Sequence, residues 1–148
     1  MINTNIKKLC STLLMYEKEF LKTKKGKICY LYKIHFAFRI DKEQQNLSYV
    51  GRTNREVENR LKDHFTDLKT NSHCNTNMQD LYNSIINNLP QEDYFIFYEV
   101  VYSGSEALVA FLEKIAIWYS VLNSNGKPKL MLQRDRKKID SIIKKILK

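Results

Sequence analysis

The sequence predicts an α+β fold: a small, mainly antiparallel three-stranded sheet flanked by helices, with extra helices at the N- and C-terminal ends. Three observations carry the prediction. Two stretches, 28–38 and 94–102, are dense in β-branched and aromatic residues. A short apolar run, 47–51, follows the first of them across a polar loop. Around these runs, apolar residues recur every three or four positions, the spacing of amphipathic helices. A tight hairpin plus one distant strand gives a mainly antiparallel sheet and not a doubly wound one. The 148 residues suffice for one modest core.

Element by element, Ile6, Leu9, Cys10, Leu13 and Phe20 predict a helix over 5–22. A lysine-rich connector, 22–27, leads to the first strand, 28–38. Residues 41–46 are polar and read as the hairpin loop; 47–51 is the short second strand. Thr53 and Glu56 have capping-box spacing, so a helix is expected directly after Gly51. Val57, Leu61, Phe65 and Leu68 form its apolar stripe, with Arg60 and His64 one turn apart on the stripe's edge. A polar loop over 71–77 contains His73, and a helix over 78–89 ends at Pro90. The third strand, 94–102, is the most strand-like stretch of all. Ser103 and Glu106 repeat the capping-box spacing and open a helix running to about Leu122. Residues 123–129 hold Gly126 and Pro128 and read as a turn. A basic amphipathic helix follows over 136–148, with Ile139, Ile142, Ile143, Ile146 and Leu147 on one face.

Charge is distributed unevenly. The net charge is +9; residues 1–27 hold seven lysines and two acids (+5), and residues 127–148 hold nine basic residues and two acids (+7). The middle, 28–126, holds nine basic and twelve acidic residues (−3). The expected organisation is therefore a basic helical arm over 1–27, a central domain over 28–126 and a second basic helical arm over 127–148. Such flanks suit a polyanion laid across the domain. Cys10, Cys29 and Cys74 are odd in number and far apart, which argues against a disulfide framework or structural zinc. No apolar run reaches 18 residues, and the first residues lack the pattern of a secretory signal, so an intracellular protein that crosses no membrane is expected.

Five residues carry candidate chemistry. Tyr32 and Tyr49 sit on the two hairpin strands and would meet across the sheet if the register pairs them. Arg60 offers a planar donor fork that matches a phosphate. His64 titrates near neutrality and could move a proton. Glu113 and Lys114 are the only charged residues between Ala107 and Leu122. A lone carboxylate on a largely apolar helix needs a partner or a cation. Arg52, beside Gly51, is a further phosphate contact. Lys137 and Lys138 of the last helix, with His73 in its loop, are candidate nucleic-acid contacts. His35 has no expected chemical role.

In this order and on these elements the residues resemble the GIY-YIG nuclease superfamily. Tyr49-Val50-Gly51 matches the YIG element, and Tyr30-Leu31-Tyr32 keeps the tyrosine of GIY but puts Tyr30 in place of its glycine. The separation of the two motifs makes the loop 39–47 an insertion. The family's arginine falls on Arg60, its histidine four residues later on His64, a second histidine on His73 and its metal-binding glutamate on Glu113; Asn125 is the nearest match to a late asparagine. The resemblance spans roughly 28–125. It implies an endonuclease that uses Mg²⁺ (or Mn²⁺) held by Glu113 to hydrolyse DNA, duplex or branched, leaving 5′ phosphate and 3′ hydroxyl ends. A homodimer is compatible with it. Two other readings stand beside this one: a catalytically inactive nucleic-acid-binding module on the same fold, and an interaction protein whose C-terminal basic helix docks an acidic partner or a membrane surface.

Overall fold

A computed structural model describes residues 28–119, 130–132 and 136–148. The helix expected over 5–22, the end of the helix expected to reach Leu122 and the whole of the turn 123–129, with Asn125, lie outside the described residues. The architecture is α+β, with an antiparallel three-stranded sheet and helices on both of its faces.

Strands β1 (Cys29–Ile40) and β2 (Glu43–Thr53) form a hairpin longer than the sequence suggests. The expected loop over 41–46 shrinks to two residues, Asp41 and Lys42, both at positive φ (50° and 69°). That backbone is the tight turn whose twist matches the strands it joins, and Asp tolerates it well. Ladder bonds then extend down to Ile40 opposite Glu43, so polar residues 43–46 are strand despite low β-propensity. The hairpin is continuous and carries no inserted loop.

Strand β3 (Tyr94–Gly104) pairs antiparallel with the other edge of β1, with a register shift at Leu31/Tyr32. A two-residue strand, β4 (Leu130–Met131), adds to β2 in parallel, giving the order β3-β1-β2-β4. Two residues are too few to show periodicity, which is why the fourth strand has no sequence signal.

Neither expected capping box forms. Thr53 and Ser103 each pair with Tyr30 in the ladders, so neither can leave extended geometry to cap a helix. Helix α1 (Val57–Lys69) starts after Glu56 without a side-chain cap, while Thr53 Oγ1 accepts the Arg55 N–H at 3.1 Å in a local turn. Helix α2 (Thr76–Asn88) is capped by Asn75, whose side chain accepts from Met78 N–H at 2.9 Å. Helix α3 (Glu106–Tyr119) takes its cap from Ser105, whose Oγ accepts from Leu108 N–H at 3.3 Å.

One sheet face presents Tyr32, Ile34, Phe36, Phe38 and Leu47 to α1 and α2 and to a last helix, α4 (Arg136–Ile146). Leu61, Leu68, Met78, Leu81 and Ile85 come from α1 and α2, and Ile139, Ile142 and Ile146 from α4. Each such fully buried side chain contributes about 1.5–3 kcal/mol. The C-terminal helix is thus part of the main core and not a detached arm. Arg136 fixes it to α2 through Asn77 Oδ1 (2.7 Å) and Asp80 Oδ2 (2.9 Å), which leaves Lys137 and Lys138 exposed on its outer side. On the opposite sheet face, α3 covers a smaller cluster of Cys29, Leu31, Val50 and Val109. No described helix is long and apolar enough to cross a membrane.

Candidate active site

Register decides which side chains meet. Tyr32 faces Gly51 and Ile34 faces Tyr49, so the two tyrosines are diagonal neighbours on one face and not a directly opposed pair. Gly51 is what makes room for Tyr32. A Cβ at residue 51 would overlap the Tyr32 hydroxyl and Cζ. The glycine therefore lets the phenol lie flat across β2 and reach α1.

There Tyr32 Oη meets His64 Nε2 at 2.6 Å, a contact buried from solvent. His64 Nδ1 meets His73 Nε2 at 2.7 Å. The two imidazoles are nearly coplanar, 20° apart with centroids at 5.0 Å, as an in-plane N–H···N bond between rings demands. His73 Nδ1 accepts the backbone N–H of Asn75 at 2.9 Å. That last bond sets the direction of the whole chain. A backbone N–H only donates, so His73 carries its proton on Nε2 and gives it to His64 Nδ1. His64 in turn carries its proton on Nε2 and gives it to the Tyr32 oxygen.

The Arg60 guanidinium lies beside the Tyr32 phenol, close enough for its charge to act on it. The Tyr32 oxygen thus accepts from an imidazole, with a guanidinium alongside, and its own proton must point elsewhere. Burial raises the Tyr32 pKa, and Arg60 opposes that rise. Tyr49 lies edge-on to His64 (centroids 5.3 Å, 67°) and His73 (6.3 Å, 86°), and it is half-buried where Tyr32 is fully buried. Burial, with Tyr32 adding to it, pushes the Tyr49 phenol up to about 12. His64 goes the other way. Burial, with Arg60 and His73 nearby, lowers it to about 4, so it is a neutral imidazole at pH 7. His73 is lowered too, chiefly by burial.

Two residues without a sequence signal hold this arrangement. Gln79 is buried; its Oε1 accepts the His73 N–H at 3.0 Å and its Nε2 donates to the Leu68 carbonyl at 2.9 Å. Asn71 turns the loop at φ 58° and is bonded through Asn83 to Gln79. A glutamine beside Met78, Leu81 and Ile85 in the buried stripe of α2 is the hint the sequence gives.

Glu113 reaches this region from α3, the helix on the other face of the sheet. Its charge is felt at both Tyr32 and Tyr49, but its direct contact is Arg52, Nε to Oε1 at 3.5 Å. Arg52 also reaches Glu106 at 3.4 Å, so it bridges two acids seven residues apart on one helix face. Burial raises the Glu113 pKa and Arg52 lowers it. The structure therefore brings Tyr32, Tyr49, Arg60, His64 and His73 together, sets Glu113 and Arg52 at their margin, and leaves Lys137 and Lys138 on a separate helix. His35 stands outside the cluster, bonded to Ser48 Oγ (3.0 Å) and Glu99 (2.8 Å).

Among the described residues no three His, Cys, Asp or Glu side chains form a cation cage. A hard cation such as Mg²⁺ needs no cage. It binds through one or two carboxylates and completes its shell with water and phosphate oxygens. Glu113, partly desolvated and only loosely contacted by an arginine that has Glu106 as a second partner, fits that mode. No family model, curated protein or solved structure matches this chain.

Proposed function

We propose that the chain is a metal-dependent DNA endonuclease of GIY-YIG type, acting inside a cell where its substrate lies. The observation that carries the reading is the directed chain His73–His64–Tyr32 closing on Arg60. A buried phenol that accepts from an imidazole, with a guanidinium beside it to offset part of the rise that burial imposes, is placed to pass through phenolate. In this reading Tyr32, as phenolate, takes the proton of a water that attacks phosphorus. The water oxygen–phosphorus bond forms as the phosphorus–O3′ bond breaks, the leaving O3′ takes a proton from solvent water, and the product ends are 5′ phosphate and 3′ hydroxyl. Both nitrogens of His64 are engaged, so it positions Tyr32 and does not itself meet water. Arg60 offers its donors to the phosphate oxygens, where charge grows in the transition state. Tyr49, more open, lines the approach. Glu113 would hold the Mg²⁺ or Mn²⁺, which when bound supplies Lewis-acid stabilisation of the scissile phosphate. Arg52 and the exposed lysines of α4, Lys137 and Lys138, would contact backbone phosphates outside the cluster, so binding should weaken steeply with salt.

A second reading, a DNA-binding chain without catalysis, is favoured by the full burial of Tyr32 and by the Arg52 contact on Glu113. Supercoiled plasmid with Mg²⁺ or Mn²⁺ separates the two. The enzyme reading expects relaxed and then linear product from the wild type, and none from Glu113→Gln at unchanged DNA affinity. Binding without any cleavage under either metal refutes it.

A further inference from the structure

We infer that β3 is the seam of a homodimer in which two copies join their sheets edge to edge. β3 ends the sheet, and its outer edge has no neighbour among the described residues. Five consecutive residues, Phe97 to Val101, are exposed, and four of them are apolar. Phe95 (66 % exposed) and Phe97 (38 %) show on the face shared with α3, Tyr98 (45 %) and Val100 (48 %) on the face shared with α1, and Val101 (46 %) sits at the register shift. A ligand or a packed helix would cover one face of such a strand. A strand paired to the edge sets a lateral neighbour beside the side chains of both faces and satisfies the open row of backbone groups at once.

The occupant with the right chemistry is a second β3. It is eleven residues long, apolar and aromatic, and contains no Lys, Arg or Pro, the residues that commonly guard an edge. The register shift opposite Leu31/Tyr32 leaves Tyr94–Val100 as the regular part available for pairing. Its single charge, Glu99, is already bonded to His35. An antiparallel pairing centred on Phe97 places Glu99 opposite Phe95 of the other copy. The two carboxylates then stand roughly 13 Å apart, beyond a Debye length. Phe95, Phe97 and Tyr98 together expose roughly 300 Å² of aromatic surface per copy. With the valines and the backbone, the total buried area comes near the lower bound of about 1,000 Å² for a specific interface, so self-association in the micromolar range is expected.

Geometry gives this dimer a use that rests on the proposed function. Antiparallel edge pairing requires a two-fold axis perpendicular to the sheet, and such an axis keeps like faces on one side. Both Tyr32–His64–Arg60 clusters would then face the same way about a dyad, which matches the dyad of a DNA duplex, one site per strand.

The test is sedimentation velocity of the full chain over roughly 1–100 μM, the range a small interface implies. The wild type should move from monomer to dimer mass and no further. Phe97→Lys with Val100→Lys, a cation on each face, should stay monomeric with an unchanged circular dichroism spectrum; Phe95→Lys, the most exposed position, serves if the double variant fails to fold. A wild type that remains monomeric throughout, forms larger species, or dimerises equally well with the lysines in place overturns the inference. This readout is independent of cleavage. If the chain also cuts DNA, the monomeric variant should nick plasmid where the wild type linearises it.

Discussion

Acid should weaken this fold through His64. The side chain is 1 % exposed and bonded at both nitrogens, and burial, with Arg60 and His73 beside it, lowers its pKa from 6.5 to about 4. The unfolded chain recovers the ordinary value near 6.5. Between those two pH values the unfolded chain binds a proton that the folded chain refuses, so stability falls as pH falls. The contribution is complete above about pH 6.5, declines down to about pH 4 and is gone below it. A span of 2.5 pH units at 1.36 kcal/mol each gives about 3 kcal/mol. That is a large share of a typical total of 5–15 kcal/mol.

Urea unfolding, followed by circular dichroism from about pH 7.5 to about pH 4, reads this directly. With a slope of about 2 kcal/mol per molar, the His64 term moves the midpoint by roughly 1.5 M. Carboxylates titrate in the same range, so the comparison is with His64→Asn. The variant starts less stable at neutral pH, because Tyr32 and His73 lose a partner, but its decline with acid should be shallower. His73, lowered in the same direction, keeps part of the slope in both proteins. Parallel pH profiles for the wild type and His64→Asn would refute the claim that His64 is held neutral inside the fold.

Gly51→Ala should cost about 1–3 kcal/mol, since the added methyl meets the fully buried Tyr32 ring; thermal unfolding measures it, and Tyr32→Phe in the same chain should recover part of the loss because the hydroxyl is the nearest atom. Arg60→Lys keeps the charge and loses the fork. A drop of about 10²–10³-fold in plasmid cleavage rate with little change in DNA affinity is expected, and equal rates would remove Arg60 from the reaction.

Periodicity and composition made β1, β3, the 47–51 part of β2 and the helices of the described region legible, β1 and the helices through one apolar face and β3 through its density of aromatic and β-branched residues. What they could not give was set by pairing. Residues 43–46 are polar and join β2 only because the Asp41-Lys42 turn brings them against β1. Thr53 and Ser103 have the spacing of caps, yet both are taken by the ladders with Tyr30. The site divided along the same line. Arg60 and His64 were readable as one turn of a helix edge, and Gly51 as a turn into that helix. That the glycine instead clears space for Tyr32 follows only from the register. The bond from His73 to His64 could not be read at all, since it depends on how the loop between α1 and α2 folds back.

That loop is where fold and chemistry become one problem. Asn75 caps α2 with its side chain and, with its backbone N–H, fixes the tautomer of His73. Gln79, one turn further along α2, fixes the backbone of His73 from the other side. Every hydrogen in the relay therefore points toward Tyr32 because a helix begins at Thr76. A protonated His73 would need to donate from Nδ1, where Asn75 already donates, so the arrangement resists charging at the far end of the chain. The same geometry that keeps both histidines neutral thus keeps the His64 N–H aimed at the phenol oxygen. A site meant only to pack a tyrosine needs one hydrogen bond to satisfy its hydroxyl; here that bond comes from an oriented pair of histidines, a guanidinium stands beside the same oxygen, and the aimed donor together with the cation is what favours the phenolate reading.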